Sequence, residues 1–487
     1  MTRSRRGAQV AAGLRDAWRL LPTRLGLLAT SLIVIGSHTP AYLPQNSPWW
    51  RPMRALHLDT TWVKLLGTGL VIAGIALLVD AWFRLRPSTR TRVAHWAVLT
   101  IWSLPLLASP PTFSHDAYSY AAQGWMLVNE VNPYEVGPGV LPGAFADQVA
   151  WVWRFTPAPY GPLSLVISQA IVVVSGLQPY LSTVLMRVPA LVGVALIVAL
   201  LPRIADRFDI DRDDTAWFAS LNPLLVIDFV GGAHNDALMM GLVVLALWLS
   251  FQGRWGWLLG AATVGVAAAI KQPAFLAAYA LPLLAHPLDG WAKGKVARTV
   301  ARIATSCVLS IAVFVLVSLA TGLGFGWLNA VNVPGMVVTV SPFTIVGQGI
   351  QLVLNYFQLD RTEHAAIRYS RTVGLVVSAV GTLVMAVTTA RRRPIAFLSW
   401  SYLLIAFGGP ALHSWYVLWG SLLLPLTSPS RRLARVALWT TIVLLCYSAV
   451  NLAWRNGALA LGIAALGAFW WQLNHHERAV SQSEEDR

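Results

Sequence analysis

The chain has 487 residues, of which 56% are hydrophobic and only 12% are charged. Because a soluble domain carries about 25% charged residues, this composition excludes a water-soluble globular protein and predicts an all-α polytopic membrane protein. The formal charge of +15 comes from short basic clusters between apolar segments, which is typical of cytoplasmic loops and argues against nucleic acid as a partner. Cys307 and Cys446 both lie in apolar runs, so no disulfide framework or thiol nucleophile is predicted.

The predicted elements are about thirteen or fourteen membrane-spanning helices, since a crossing needs about 20 mostly apolar residues. Together they make residues 1–487 a single integral-membrane domain, with tails at 1–24 and 476–487. In chain order we place the spans at 24–39, 62–83, 93–109, 181–201, 215–232, 236–252, 257–273, 274–288, 303–321, 369–390, 395–411, 414–428, 435–453 and 457–474. No small-residue cleavage pattern follows the first apolar run, so we expect this first helix to be retained.

Basic clusters set the orientation that we predict for these helices. All of them fall on the cytoplasmic side, with both tails, if the apolar stretches 163–177 and 343–357 are re-entrant or interfacial helices that do not cross. Residues 110–180 then form a large extracytoplasmic loop, and the polar motifs described next meet on one outer face. The clusters lie at 3–24, 84–92, 293–302, 391–393 and 431–435.

The first polar motif is the segment from Ser114 to Tyr120 in the large loop. Ser114 is a good helix N-cap, and the helix dipole alone accounts for an acid in the first turn. Asp116 is nevertheless placed to act as a general base toward a sugar hydroxyl. Side chains suited to hydrogen bonding with a sugar lie beside it, namely His115, Tyr118, Tyr120 and Gln123.

Two rigid aromatic turns follow in the same loop, Asn132-Pro133-Tyr134 and Pro157-Ala158-Pro159-Tyr160-Gly161-Pro162. Turn chemistry accounts for most of this pattern, because proline fixes φ and glycine closes the bend. Tyr134 and Tyr160 are also predicted to stack on a sugar ring or to guide a lipid.

Ionisable residues stand at four further helix ends. Capping accounts for Asn235 or Asp236 in the motif His234-Asn235-Asp236, but not for His234. Lys271 and Arg187 lie near outer helix ends, where positive charge is uncommon. A snorkelling side chain is the plainer interpretation, and a lipid phosphate is a natural counter-ion. In His413-Ser414-Trp415-Tyr416 an aromatic belt accounts for Trp415 and Tyr416, but not for His413.

Metal binding has no defined pattern in this sequence. Four of these side chains are possible ligands, but no spacing such as H-E-x-x-H fixes a site. No metal or other cofactor is therefore predicted, and metal dependence stays open. The possible ligands are Asp116, His234, Asp236 and His413.

Together the motifs resemble those of the polyprenol-phosphate-mannose-dependent α-1,6-mannosyltransferases of actinobacteria, which are multi-spanning glycosyltransferases of the GT-C type. The resemblance extends from about Leu25 to His475. In the last motif the family has proline where this chain has Ser414. The matching segments are HDAYSYAAQG at 115–124, NPY at 132–134, PYGP at 159–162, HND at 234–236, KQPAF at 271–275 and HSWY at 413–416.

The resemblance implies a GT-C-like helical bundle whose large outer loop carries interfacial helices. It implies extracytoplasmic transfer of mannose at the plasma membrane, with inversion, from a polyprenyl-phosphate-mannose donor to a lipid-anchored α-1,6-mannan acceptor of lipomannan or lipoarabinomannan. Asp116 matches the catalytic carboxylate. Lys271, His413 and Arg187 are expected to stabilise the donor phosphate as charge develops on it. The substrate contacts are expected from His115, Tyr118, Tyr120, Gln123, Tyr134, Tyr160, His234, Asn235, Asp236, Trp415 and Tyr416.

Two alternatives stay open. A GT-C transferase for another polyprenyl-phosphate sugar, such as arabinose or glucose, carries the same motifs. A lipid or saccharide flippase is typically built from repeats with paired broken helices. No internal duplication is visible here, and the loop at 110–180 has no counterpart in the second half of the chain, which favours an enzyme.

Overall fold

The computed structural model describes residues 3–44, 46–87, 93–330, 333, 340–359, 364–454, 467 and 471. Every regular element within these residues is a helix. The α-helices are α1 (Arg3–Arg19), α2 (Leu21–Ser37), α3 (Trp50–Ala55), α4 (Thr61–Arg84), α5 (His95–Ser103), α6 (Asp116–Val128), α7 (Ala144–Asp147), α8 (Trp151–Arg154), α9 (Pro162–Val174), α10 (Pro179–Leu185), α11 (Arg187–Ala205), α12 (Arg212–Ser220), α13 (Asp236–Leu249), α14 (Gly256–Ala268), α15 (Leu276–Ala285), α16 (Lys293–Ala320), α17 (Pro342–Tyr356), α18 (Ala365–Thr388), α19 (Pro394–Gly408), α20 (Val417–Ser421) and α21 (Arg431–Trp454).

Long apolar helices confirm the predicted class, an all-α polytopic membrane protein. By length and composition, five helices of the described residues can cross a membrane, or seven if each of two bent pairs is one span. Four further apolar helices have 10 to 17 residues. The five are Thr61–Arg84, Pro179–Phe208, Lys293–Ala320, Ala365–Thr388 and Arg431–Ala453, and the bent pairs are Gly7–Arg19 with Leu21–Ser37 and Leu225–Gly231 with Asp236–Leu249.

This count is smaller than the thirteen or fourteen spans of the sequence prediction because several predicted crossings are short or broken helices. The segment 215–232 divides into α12 and a π-type helix at Leu225–Gly231, and 414–428 divides into α20 and two short 3-10 turns. The predicted span at 457–474 lies outside the described residues apart from 467 and 471, and the tail at 476–487 lies outside them entirely.

Two short apolar helices coincide with the stretches predicted not to cross. α9 has 13 residues and α17 has 15, both fewer than the roughly 20 that a crossing needs. α9 packs along α6, and α17 packs along α18. Their helical form is confirmed, and their re-entrant or interfacial position stays a prediction.

Small residues allow close approach of the helices around the centre of the fold. A Cβ atom on Gly193 of α11 would lie 2.0 Å from the carbonyl oxygen of Ala237 in α13, and one on Gly124 of α6 would lie 2.5 Å from backbone atoms of Ser168 in α9. Helix association in membranes depends on such packing, because lipid is as apolar as the side chains. These two contacts set the positions of α6, which begins at Asp116, and of α13, which begins at Asp236.

Candidate active site

The start of α6 places the carboxylate of Asp116. Phe113 has a left-handed φ of 55°, and the Asp116 N–H donates to the Ser114 hydroxyl at 3.1 Å. The N-cap residue is His115, which makes no side-chain cap, so Ser114 lies one residue before the expected capping position but still accepts a helix N–H. The Asp116 side chain is 18% exposed, and its position in the first turn is favourable for a negative charge.

The break before α13 brings His234 to this carboxylate. The helix Leu225–Gly231 and α13 meet at 110°, and Ala233 between them has φ 57°. A left-handed alanine is uncommon, and it persists only where the surrounding structure enforces it. His234 is fully buried, and its Nδ1 lies 3.6 Å from Asp116 Oδ2. The break therefore orients an imidazole toward the candidate base.

Trp415 stacks on two imidazoles. Its ring centroid lies 3.6 Å from that of His234, with an interplanar angle of 21°, and 4.5 Å from that of His413, with an angle of 13°. Burial, and to a smaller extent the Lys271 charge, lowers the pKa of His413 to about 3. His413 is therefore neutral at physiological pH, so any contact with a phosphate is a hydrogen bond and not an ion pair.

Lys271 and Asp236 form a buried ion pair. The Lys271 ammonium donates to Asp236 Oδ1 at 2.9 Å and Oδ2 at 2.8 Å, and the Trp419 indole N–H donates to Oδ1 at 2.7 Å. Asp236 is fully buried, and the Lys271 side chain is 12% exposed. The ammonium also faces the rings of Tyr416 at 4.8 Å and Tyr160 at 5.9 Å, where cation–π attraction stabilises it.

Two cavities meet at Asp116. One, the polar cavity, has a volume of about 460 Å³ and carries hydrogen-bonding side chains including Asn46, Asp147, Arg154, Ser448 and Asn451. The other, the apolar cavity, has a volume of about 390 Å³ and a wall rich in prolines, aromatic rings and aliphatic side chains, among them Trp327, Leu375, Ile405 and Trp419. Both walls contain Asp116, Trp153 and His413.

Several predicted site residues lie in these walls. His115 and Trp415 line the polar cavity, where His115 Nε2 donates to the Tyr42 carbonyl at 2.8 Å. The apolar cavity is lined by Gln123, Tyr160, Lys271 and Tyr416.

Other predicted residues do not line either of these two cavities as the structure describes them. The Tyr134 hydroxyl donates to the Tyr160 carbonyl at 2.8 Å, and Tyr120 meets the Tyr160 ring edge-on at 5.0 Å. The Asn235 amide donates to Ser164 at 3.1 Å. Tyr118 is buried edge-on to the His115 ring, 5.9 Å away. The three tyrosines thus contact the wall residues His115 and Tyr160, whereas Asn235 is bonded to Ser164 of α9 outside both walls. Direct contact with a substrate stays a prediction for all four.

Arg187 lies away from both described cavity walls. Its guanidinium donates to the carbonyls of Val230 (3.1 Å), Pro110 (3.0 Å) and Gly231 (2.9 Å), and to the hydroxyl of Ser109 (3.3 Å). Only 2% of this residue is exposed. Arg187 thus joins the loop before Asp116 to the break before α13, a structural position unlike that expected of a phosphate ligand.

Sequence reasoning missed some residues of the site. Trp419 follows Trp415 and Tyr416 at helical spacing, a signal that placed it on the same face. Asp228, buried within a predicted span, was itself a signal of function. Its carboxylate is hydrogen-bonded to Ser414, which also accepts from the Ser448 hydroxyl at 2.9 Å.

Within the described residues, no group of three or more His, Cys, Asp or Glu side chains is arranged to hold a metal ion.

The fold and the site define a polytopic helical membrane protein with a carboxylate shared by a polar and an apolar cavity. Residues 23–286 match the family described as "Alpha-(1->6)-mannopyranosyltransferase, N-terminal domain", and residues 343–471 match the "MptB C-terminal domain". The chain belongs to the actinobacterial α-(1→6)-mannosyltransferase family, which confirms the resemblance of its motifs.

Individual relatives agree with this membership. The chain is 31% identical to alpha-(1→6)-mannopyranosyltransferase A of Mycobacterium tuberculosis, over 88% of this chain and 84% of that protein. It is 32% identical to a probable alpha-(1→6)-mannopyranosyltransferase of Mycolicibacterium smegmatis, with the same coverage of 88% and 84%. Identity to alpha-(1→6)-mannopyranosyltransferase B of Corynebacterium glutamicum is 27%, over 86% and 74% of the two chains. No solved structure matches this chain.

Proposed function

We propose that this protein transfers mannose from a polyprenyl-phosphate-mannose donor to an α-1,6-mannan acceptor, with inversion, on the extracytoplasmic face of the plasma membrane. The observation that carries the proposal is the position of Asp116 in the wall common to the two cavities. Family membership supports mannosyl transfer. The contrast between the cavities supports one lipid-linked and one saccharide substrate.

The apolar cavity suits the donor. Leu375 and Ile405 line it from α18 and α19, and α18 is one of the candidate membrane spans. A prenyl chain therefore has a path from the lipid to this wall, with its sugar phosphate directed at Asp116 and Lys271. An ammonium group has three N–H donors. Two of the N–H groups of Lys271 donate to the two carboxylate oxygens of Asp236. The third N–H group is left to donate to a phosphate oxygen.

The polar cavity suits the acceptor. Sugar hydroxyls need both donors and acceptors, which amide, hydroxyl and charged side chains supply. Asn46, Asp147, Arg154 and Asn451 offer these groups around an open volume of about 460 Å³. A lipid-anchored mannan fits such a wall better than it fits the apolar one.

The reaction then needs a single displacement. The acceptor hydroxyl oxygen bonds to the anomeric carbon as the bond from that carbon to the phosphate oxygen breaks, and Asp116 takes the hydroxyl proton. The prenyl phosphate leaves with the bonding electrons, and Lys271 stabilises its charge. Burial raises the pKa of Asp116 to about 6, so the carboxylate is ionised at neutral pH yet is a stronger base than a solvated one.

The test uses purified protein in liposomes, decaprenyl-phosphate-mannose and a synthetic α-1,6-mannoside. The wild type should form an α-1,6-linked product, and Asp116→Asn should lower kcat by about a hundred- to ten-thousandfold with donor binding and thermal stability retained. The matched control is Asp147→Asn, a carboxylate of the polar cavity, which should change the acceptor KM and leave kcat within tenfold. Turnover of Asp116→Asn near the wild-type rate would overturn the role of this base.

The same assay separates the two alternatives. Product from a decaprenyl-phosphate arabinose or glucose donor, with none from the mannose donor, would identify another sugar transferase. Movement of labelled lipid across the liposome membrane without a new glycosidic bond would identify a flippase.

A further inference from the structure

Trp153 lines both the polar and the apolar cavity. It lies on α8 in the large loop, and with Asp116 and His413 it belongs to the walls of both cavities. Among these three side chains it supplies the large apolar surface. The Trp153 indole therefore stands where the polar and apolar cavities adjoin at the carboxylate.

Tertiary contacts hold this tryptophan, because a helix of four residues is not stable by itself. Arg154 donates to the carboxylate of Asp147 in α7 at 2.8 Å. A Cβ atom on Gly137 would lie 2.5 Å from the backbone of Phe155 and Thr156, so the preceding turn packs directly on the end of α8. Trp153 itself packs against a buried hydrophobic cluster that includes Tyr120 of α6, Phe145 of α7 and Val172 of α9. The indole is thus fixed at the boundary.

A base beside a solvated cavity creates a chemical problem for a transferase. Asp116 is able to accept a proton from water as well as from a sugar hydroxyl. Water oxygen would bond to the anomeric carbon as the bond to phosphate breaks, giving free mannose and prenyl phosphate. Enzymes suppress such side reactions by excluding water from the reacting centre.

We propose that Trp153 is the partition that keeps water of the polar cavity away from the donor's anomeric carbon. It thereby raises the ratio of mannosyl transfer to donor hydrolysis. This inference rests on the proposed function. An acceptor sugar ring can lie against the face of the indole and present its hydroxyl to Asp116. The same apolar ring face offers water no strong hydrogen-bond partner, since the only polar group of the indole is the N–H at its edge. Trp153 acts as a specificity-determining residue and takes no proton.

The test compares variants of α8 in the liposome assay with donor labelled in the mannose. Trp153→Ala should raise the ratio of free mannose to transferred mannose by at least about tenfold, because the partition is removed. Trp153→Phe, which keeps an aromatic ring, should give an intermediate ratio. All ratios are measured at saturating acceptor. The matched control is Phe155→Ala, since Phe155 follows α8 directly, is 71% exposed and belongs to neither cavity wall. Its ratio should stay at the wild-type value.

Two further measurements make the result decisive. The double variant Asp116→Asn/Trp153→Ala should lose the added hydrolysis, because water uses the same base. The unfolding temperature and the donor affinity of Trp153→Ala show whether this variant is folded. If it is not, the ratio of free to transferred mannose in Trp153→Phe tests the inference. A wild-type ratio in a folded Trp153 variant, with transfer intact in the wild type, overturns this inference alone. Absence of transfer in the wild type overturns the proposed function instead.

Discussion

The Lys271 ammonium lies 2.8 and 2.9 Å from the two carboxylate oxygens of Asp236, so the cation at the edge of the apolar cavity is half of a buried pair. Asp116 stands within the field of both charges, since Lys271 lowers its pKa and Asp236 raises it, each by less than burial does. The pair can therefore adjust the base and hold a donor phosphate at the same time. Substitutions of the two partners separate these effects.

Asp236→Asn keeps a side-chain oxygen for Lys271 and removes the negative charge. Because that charge raises the Asp116 pKa, the acid limb of kcat/KM should move to lower pH in the variant. The donor KM should also fall, since the phosphate no longer competes with a carboxylate for the ammonium. Initial rates between pH 4.5 and 8 at several donor concentrations measure both quantities. An unchanged limb would mean that Asp236 does not influence the base.

Lys271→Met serves as the reciprocal variant. It leaves Asp236 as an unpaired buried carboxylate, and breaking a buried pair costs about 3–5 kcal/mol, so the unfolding temperature should drop. Lys271→Met/Asp236→Asn should recover most of that stability without recovering donor affinity. Wild-type donor affinity in the stable double variant would exclude Lys271 as the phosphate ligand.

The wild-type rate should depend on Asp116 in the acidic range. Only the ionised carboxylate accepts a proton, and burial raises its pKa from the usual 3.8 to about 6. Activity should therefore be full above this pH and should fall as the pH decreases through about 6, with a limiting slope of one on a logarithmic plot. In Asp116→Asn the residual rate should lack this limb, and a limb that survives the substitution belongs to another group.

The membership of the site was predictable because ionisable side chains at helix ends are conspicuous in an apolar chain. The structure does bring three of these side chains close to Asp116, namely His234, Lys271 and His413. Which partner each takes was not predictable. The pairing of Lys271 with Asp236 depends on the 110° break before α13, and no local pattern encodes that angle.

The helix bounds were likewise predictable where they depend on the local sequence and not where they depend on tertiary contacts. α4 runs over Thr61–Arg84, within two residues of the span predicted at 62–83, because apolar length is a local property. The span predicted at 215–232 is interrupted at Asn222-Pro223, where proline lacks an N–H and disfavours helix in the residue before it. Trp153 was missed because a four-residue helix in a loop shows no periodicity.

Arg187 offers a case in which sequence and structure predict different results. The family resemblance implies that Arg187 binds the donor phosphate, whereas in the structure its guanidinium donates to three buried carbonyls and a hydroxyl. Arg187→Ala removes all four hydrogen bonds. The Gly231 carbonyl still accepts from the Thr112 N–H and the Pro110 carbonyl from the Ser109 hydroxyl, but any buried group left unsatisfied costs about 1–3 kcal/mol. The unfolding temperature in detergent should therefore fall sharply, and Arg187→Lys should restore it only in part because lysine lacks the planar fork of donors.

The matched control for Arg187 is Arg203→Ala, on the same helix. Arg203 is exposed and donates to the carbonyl of Ala199 in its own helix, so its loss should change stability by no more than about 0.5 kcal/mol. Donor KM is measured for every variant at a temperature where the protein stays folded. A raised donor KM with an unchanged unfolding temperature in Arg187→Ala would support the phosphate ligand, because loss of a structural cation cannot leave the fold unaffected.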